Sequence, residues 1–147
     1  MTATPATIAH HLDAYRADGR PAKRPMGGFA DELWADFSPQ YAPNGDTLAA
    51  ARAHAEHLFA TIAQVAFVDI RESVQEYEGG MWKAGRHVER IERGDRPGPT
   101  ITVRPVVDAH DETVWEIVGP NAYGTYLSKA HAEAAAARLS DTSAVTR

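Results

Sequence analysis

Between Asp46 and Glu78 the chain carries neither glycine nor proline, and the run ends at Gly79-Gly80. An unbroken stretch of that length can fold in few ways. Its first half, Thr47 to Thr61, is rich in alanine and leucine, which favour helix. Asp46 follows the turn pair Asn44-Gly45 and has an N-cap side chain, while Gly79 suits the residue just past a helix C-terminus. Leu48, Ala51, Ala55, Leu58, Phe59, Ile62, Ala66, Ile70 and Tyr77 fall on one side of a 3.6-residue wheel. The spacing predicts a long central helix over 46–80, or two helices joined near Gln64. Inside it, Val65 to Val74 also reads as strand, because a short apolar run does not settle its own period.

Upstream, Thr4-Pro5 has the form of a helix start, a capping hydroxyl followed by proline. Ile8, Leu12 and Tyr15 then give an apolar stripe that Asp18-Gly19 closes. Arg20 to Gly28 reads as a solvated connector. Phe29, Leu33, Trp34 and Phe37 mark a short amphipathic helix, and Ser38 to Gly45 is loop. Downstream, Met81 to Pro99 fits either a strand and loop or a short salt-bridged helix. Thr100 to Val107 and Thr113 to Val118 are β-branched and alternating, so they read as strands. Asp108 to Glu112 joins them as a hairpin loop. Gly119 to Gly124 turns the chain into a short third strand, Thr125 to Leu127, and Ser128 caps a helix running to about Leu139. The expected class is α+β: N-terminal helices including the long central one, then a small antiparallel sheet of three or more strands and a C-terminal helix. At 147 residues this is one domain, with a helical extension and loop over 1–45, the central helix over 46–80, and the sheet and last helix over 81–147.

Charge narrows the function classes. The formal net charge is −5, and each third of the chain holds more acid than base. A general nucleic-acid binder needs a basic face to displace counterions from phosphates, so direct nucleic-acid binding is not expected. The C-terminal strand-strand-strand-helix unit could in principle serve a small DNA-associated regulator. Its strands offer only Arg104 against Asp108, Asp111, Glu112 and Glu116. No apolar run approaches the ~20 residues of a membrane span, and no basic-then-apolar signal opens the chain, so a cytoplasmic protein is expected. The absence of cysteine removes disulfides, thiol catalysis and cysteine zinc sites together.

Seven histidines invite a search for a metal or an acid–base site. His54 and His57 stand three apart on the predicted helix with Glu56 between them, a spacing that can chelate, and they are the candidates for a metal-dependent hydrolase. No third ligand is indicated nearby, so neither a metal nor a cofactor is expected. His10 and His11 are adjacent and read as solvent-exposed. His87 beside Arg86, and His110 beside Asp108 and Asp111, could serve acid–base chemistry. Ser73 and Ser128 supply hydroxyls, yet nothing has the form of a nucleophile elbow, a Walker loop or a dinucleotide fingerprint. No catalytic residue is expected, and the chain reads as a non-enzyme.

Two pieces carry a resemblance. Tyr77-Glu78-Gly79-Gly80-Met81-Trp82 is similar to the aromatic-x-Gly-Gly-aromatic-Trp element of the plasmid and phage antirestriction family of the ArdB/KlcA type, with Met81 in place of an aromatic. Val114-Trp115 through Gly119-Pro120-Asn121-Ala122-Tyr123, then Leu127-Ser128-Lys129-Ala130-His131-Ala132, resembles that family's strand, turn, short strand and Ser-x-x-Ala helix start. Order and spacing agree over roughly residues 58–140. After Trp82 the family continues with aromatics and an Asn-Gly-Gly-Phe turn, where this chain has Lys83-Ala84-Gly85-Arg86-His87. The resemblance implies a small non-enzymatic α+β protein of a mobile element that inhibits a host defence against foreign nucleic acid. It brings no catalytic residues with it.

A partner on this reading is a protein, such as a host nuclease or defence complex, and a homodimer is the base-rate expectation. Contacts should fall on loops held by the scaffold: Asp108, Asp111 and Glu112 on the acidic hairpin, and Asn121 and Tyr123 on the following turn. Trp82 and Trp115 are expected in the core.

Overall fold

The computed structural model describes residues 6–23 and 33–142. Among them seven strands accompany two α-helices: β1 Thr7–Tyr15, β2 Trp34–Phe37, α1 Thr47–Thr61, β3 Phe67–Gln75, β4 Trp82–Glu92, β5 Thr102–Val107, β6 Thr113–Val118, β7 Thr125–Tyr126 and α2 Lys129–Ser140. The expected fold class, with its helical N-terminus and long central helix, is therefore overturned: strand outweighs helix, and the first element is a strand. Phe29, expected to open the second helix, lies outside the described residues. No described helix is long and apolar enough to cross a membrane.

The physical reason is pairing between distant segments. The first sheet has the order β2-β1-β3-β4 and is antiparallel throughout. β1 lies inside it, pairing with β3 along its full length from Thr7↔Gln75 to Tyr15↔Phe67. That ladder, with β2 on the other side over His10 to Asp13, gives β1 long-range backbone partners and overrides the helical propensity of the N-terminal residues. The stripe that counts is the alternation of His10, Leu12 and Ala14, which face α1, rather than Ile8, Leu12 and Tyr15.

Helix α1 begins where expected, with the Asp46 carboxylate accepting from the Ala49 N–H at 2.9 Å. It stops at Thr61, with Ile62 as C-cap in extended geometry, although no breaker stands there. The stop comes from elsewhere in the chain. Arg93, just past β4, is wholly buried, and its guanidinium donates to five backbone oxygens: Phe59 and Val65 at 2.8 Å, Ile62 at 2.7 Å, Pro97 at 3.1 Å and Arg96 at 3.4 Å. Its own N–H donates to Ala66 O at 2.8 Å. Terminal helix carbonyls that water would otherwise serve are thus capped by one side chain. Burial, with Arg96 nearby, pulls the Arg93 pKa down to about 10, so the group stays charged at neutral pH.

From Phe67 the run is strand, so Gly79 closes a hairpin rather than a helix, at φ 79°. Met81 to Pro99 resolves as strand followed by loop. The β3–β4 register slips twice, each slip adding one residue to β4 between Ile70↔Glu89, Arg71↔His87 and Ser73↔Ala84. Gly85 occupies the second slip, where a Cβ would meet the Glu72 Cβ at 2.9 Å and the Glu72 oxygen at 3.0 Å. Leu12, Ala14, Ala51, Ala55, Leu58, Phe59, Ile62, Val65, Val68 and Ile70 form the core between this sheet and α1.

The second sheet is the meander β5-β6-β7, with strands and turns where the sequence places them. Ser128 caps α2 by accepting from His131 N–H at 3.2 Å. Its core is small: Ile117, Ala122, Ala132 and Ala136, with Ile101, Val103, Trp115, Tyr126 and Leu139 half-buried around them. Trp115 is therefore only partly covered, with the Lys129 ammonium 5.5 Å from the ring centre.

Candidate site on the open face of the four-stranded sheet

Because α1 covers one face of the first sheet, alternate residues of all four strands are left on the other. Register assembles them into rows across the strands. One row reads Asp36, His11, Arg71, His87; the next reads Trp34, Asp13, Asp69, Arg90; beyond it stand Tyr15, Phe67 and Glu92. In the opposite direction come small residues, Ala9, Ser73 and Ala84, and then Thr7, Gln75 and Trp82.

The charged rows are internally bonded. His11 lies between two carboxylates, Nδ1 to Asp36 Oδ1 at 2.6 Å and Nε2 to Asp13 Oδ1 at 3.0 Å, with its ring stacked on Trp34. Only an imidazolium can donate to both. The expectation of two solvent-exposed histidines is corrected here: His11 is clamped, and His10, on the α1 face, makes a 2.7 Å hydrogen bond with the Thr47 hydroxyl. Burial lowers the His10 pKa, against the opposing pull of Glu72 and Asp46. Asp69 takes a bidentate pair from Arg90 at 2.9 and 3.0 Å, and His87 Nε2 lies 3.1 Å from the same carboxylate. The Arg90 bonds hold the Asp69 carboxyl below its usual range, with His87 adding to them against desolvation. Arg90 also lies 4.1 Å over the Phe67 ring, which stacks on Tyr15. Burial, helped by Asp13 and Asp69, pushes the Tyr15 hydroxyl up.

This arrangement has little use for covalent chemistry. Both His11 nitrogens are committed, so it cannot take a proton from Ser73 while the clamp holds. What the face does offer is shape. The small row leaves a trough of about 320 Å³ lined by Ala9, Asp36, Ser38, Gln40, Ser73 and Trp82. A neighbouring hollow of about 350 Å³ shares Ser38, Gln40 and Trp82 and reaches Thr7, Pro39 and Gln75. Such volumes lie at the lower end for small-ligand sites. Trp82 forms a wall of both and is 44% exposed, which corrects its expected burial. It pairs with Gln75 on the face opposite α1. Tyr77 and Met81, in the hairpin turn beside it, are 65% and 81% exposed. Gln75 pins that turn by donating to Gly80 O at 2.9 Å.

The partner-binding and metal candidates read from sequence lie elsewhere, and none of them lines the trough. Asp108 shapes its own hairpin, its carboxylate accepting from the N–H groups of His110 at 2.8 Å and Glu112 at 3.0 Å. Asp111 takes a left-handed conformation in that turn, and Glu112 is exposed. Asn121 is half-buried and donates to Thr61 O at 3.1 Å, tying the second sheet to the end of α1. Tyr123 is 70% exposed on its turn. The acidic hairpin and the Asn121–Tyr123 turn sit at opposite ends of β6, so the fold does not bring them together. His54 and His57 have rings 5.9 Å apart on α1, and His54 also meets Phe37 at 5.6 Å. Among the described residues no group of three or more His, Cys, Asp or Glu side chains could hold a metal. On the second sheet Arg104 is paired with Glu116 at 2.9 Å, which withdraws the one strand cation a DNA contact would use.

Compared with protein-family models, curated proteins and solved structures, the chain matches none.

Proposed function

We propose that this chain is a non-catalytic interaction protein whose working surface is the open face of the four-stranded sheet, at the end formed by the β3–β4 hairpin. One observation carries the reading. Tyr77, Met81 and Trp82, an aromatic–methionine–aromatic set of the kind that anchors interfaces, stand exposed at the end of the β3–β4 hairpin instead of in the core, and Trp82 walls a trough. The same residues make up the first element of the antirestriction resemblance, so that element sits on the surface where a partner can reach it. The proposed role is inhibition of a host restriction system or a related nuclease complex by binding one of its protein components.

The test pairs a functional and a physical measurement. Trp82→Ala with Met81→Ser should leave the melting transition near that of the parent, because both side chains are exposed. The pair should also abolish protection of incoming DNA in cells carrying the sensitive defence system, and abolish co-purification of its complex. A second variant replaces Asp108, Asp111 and Glu112 with Ala or Asn and should retain protection. Full protection by the hairpin variant, or loss confined to the acidic one, would refute the choice of surface. No protection by the parent protein against any of several defence systems would refute the role.

A further inference from the structure

We infer that the trough beside Trp82 receives an arginine side chain of a protein partner; this rests on the interaction reading above and adds the chemistry of the contact. Three features point the same way. Asp36 is the only charged residue lining the trough, and only its Oδ1 is engaged among the described residues, by His11. The clamp does not cancel that charge, since Asp13, His11 and Asp36 together remain anionic even with the imidazole protonated. Trp82 adds an indole wall, the surface a guanidinium stacks on best, and Ser38, Gln40 and Ser73 add oxygen acceptors for its N–H fork.

Shape and long-range charge agree with this occupant. Ala9 and Ser73 leave the floor low enough for an aliphatic stem to lie along it, and the volume suits one extended side chain rather than a large cofactor. The net charge of −5 draws a basic partner surface toward the whole molecule. Arg71 opposes the fit. It is exposed, stands next to His11 in the row that also holds Asp36, and has no hydrogen-bond or ion-pair partner among the described residues. A phosphate or other anion would meet the Asp36 carboxylate in the trough itself, which disfavours it.

The full chain has three tryptophans, so three indole N–H signals report on binding in ¹H–¹⁵N spectra, and Trp82→Phe identifies the relevant one. The probe is acetyl-Gly-Arg-Gly-amide, with the citrulline peptide as a neutral control of the same shape. The arginine peptide should move the Trp82 signal in a saturable way. Citrulline should bind about tenfold more weakly, as the loss of one charge-assisted hydrogen bond requires. Asp36→Asn should weaken the arginine peptide by a similar factor, and Arg71→Ala should tighten it. Equal binding of the citrulline peptide, or a larger response to a neutral disaccharide or to inorganic phosphate, overturns the inference. So does a Trp82 signal that stays still. Failure here with Trp82-dependent protection intact in cells removes the arginine contact and leaves the interaction reading standing. Arginine binding with protection indifferent to Trp82→Ala upholds the contact and removes that reading instead.

Discussion

The two halves of the molecule reach similar architectures, a sheet backed by one helix, by different means. In the first, α1 packs leucine, isoleucine, valine and phenylalanine against strands that lie far apart in sequence, and a buried arginine finishes the helix. In the second, three consecutive strands and the helix after them enclose a core made largely of alanine. Apolar burial stabilises roughly in proportion to area, so the first core carries most of the stability and the second leans on it. Contacts between the halves are few and local. Asn121 reaches Thr61, and the loop at Gly98 packs so closely that a Cβ there would come within 2.7 Å of the Thr142 side chain.

That asymmetry can be broken most forcefully at Arg93. Arg93→Ala should cost about 3–5 kcal/mol, because it removes the side-chain donor from the buried carbonyls of Phe59, Ile62 and Val65 and opens a cavity. Denaturant unfolding should show the loss as one global transition, and Arg93→Lys should recover only part of it, since a point charge cannot span the acceptors that the guanidinium bridges. Next comes Ile117→Ala, expected at about 2–3 kcal/mol for a buried aliphatic in a small core. Amide exchange should then speed up across β5–β7 and α2 while β1 and β3 keep their protection; equal loosening of both halves would show one cooperative unit instead of a leaning pair. Asn121→Ala removes a single side-chain bond between the halves and should cost about 1 kcal/mol. Its signature is a lower midpoint for the second half alone.

The smallest effect is a response to acid, and it too separates the halves. Burial holds the folded pKa of His10 below the ordinary imidazole value of 6.5, so the unfolded chain takes up the proton first. The stability His10 contributes is present above pH 6.5 and is lost as pH falls through its folded value. Asp69 is likewise depressed from 3.8, and its contribution is present above pH 3.8 and lost below as its folded value is crossed. Both groups sit in the first sheet. Stability should therefore decline in two steps on acidification, His10→Gln flattening the upper step and Asp69→Asn the lower. A single step unaffected by either variant would place the acid-sensitive group elsewhere.

The same contrast governs what the sequence reveals. The second half is legible almost residue by residue, since alternation in Thr113 to Val118, the Gly119–Gly124 turn and the Ser128 cap are local signals, each read by its immediate neighbours. The Asp46 cap is local as well. The first half hides its plan. The strand reading of Val65 to Val74 and the junction near Gln64 hint that the helix gives way, but no residue at Thr61 fixes its end, because the group that caps it is Arg93. Nothing in Thr7 to Tyr15 marks a strand, because its partners begin at Phe67 and Trp34. The candidate site inherits that difficulty: Trp82 reads as a core residue until register places it on the uncovered face, and His11 reads as solvated until Asp36 arrives from another strand.

The reach of Arg93 also bears on how the chain folds. Its bonds to Phe59, Ile62 and Val65 span 34, 31 and 28 residues. A loop of that length must close before the end of α1 is secured, and the entropy of closure is lost before the bonds form. Until then α1 is an isolated helix of 15 residues, marginal in water and free to fray past Thr61. The meander has no such wait, since each of its strands pairs with the next. The half that dominates at equilibrium is thus the one whose assembly is slow, and the weaker half can collapse first onto a scaffold that is not yet complete.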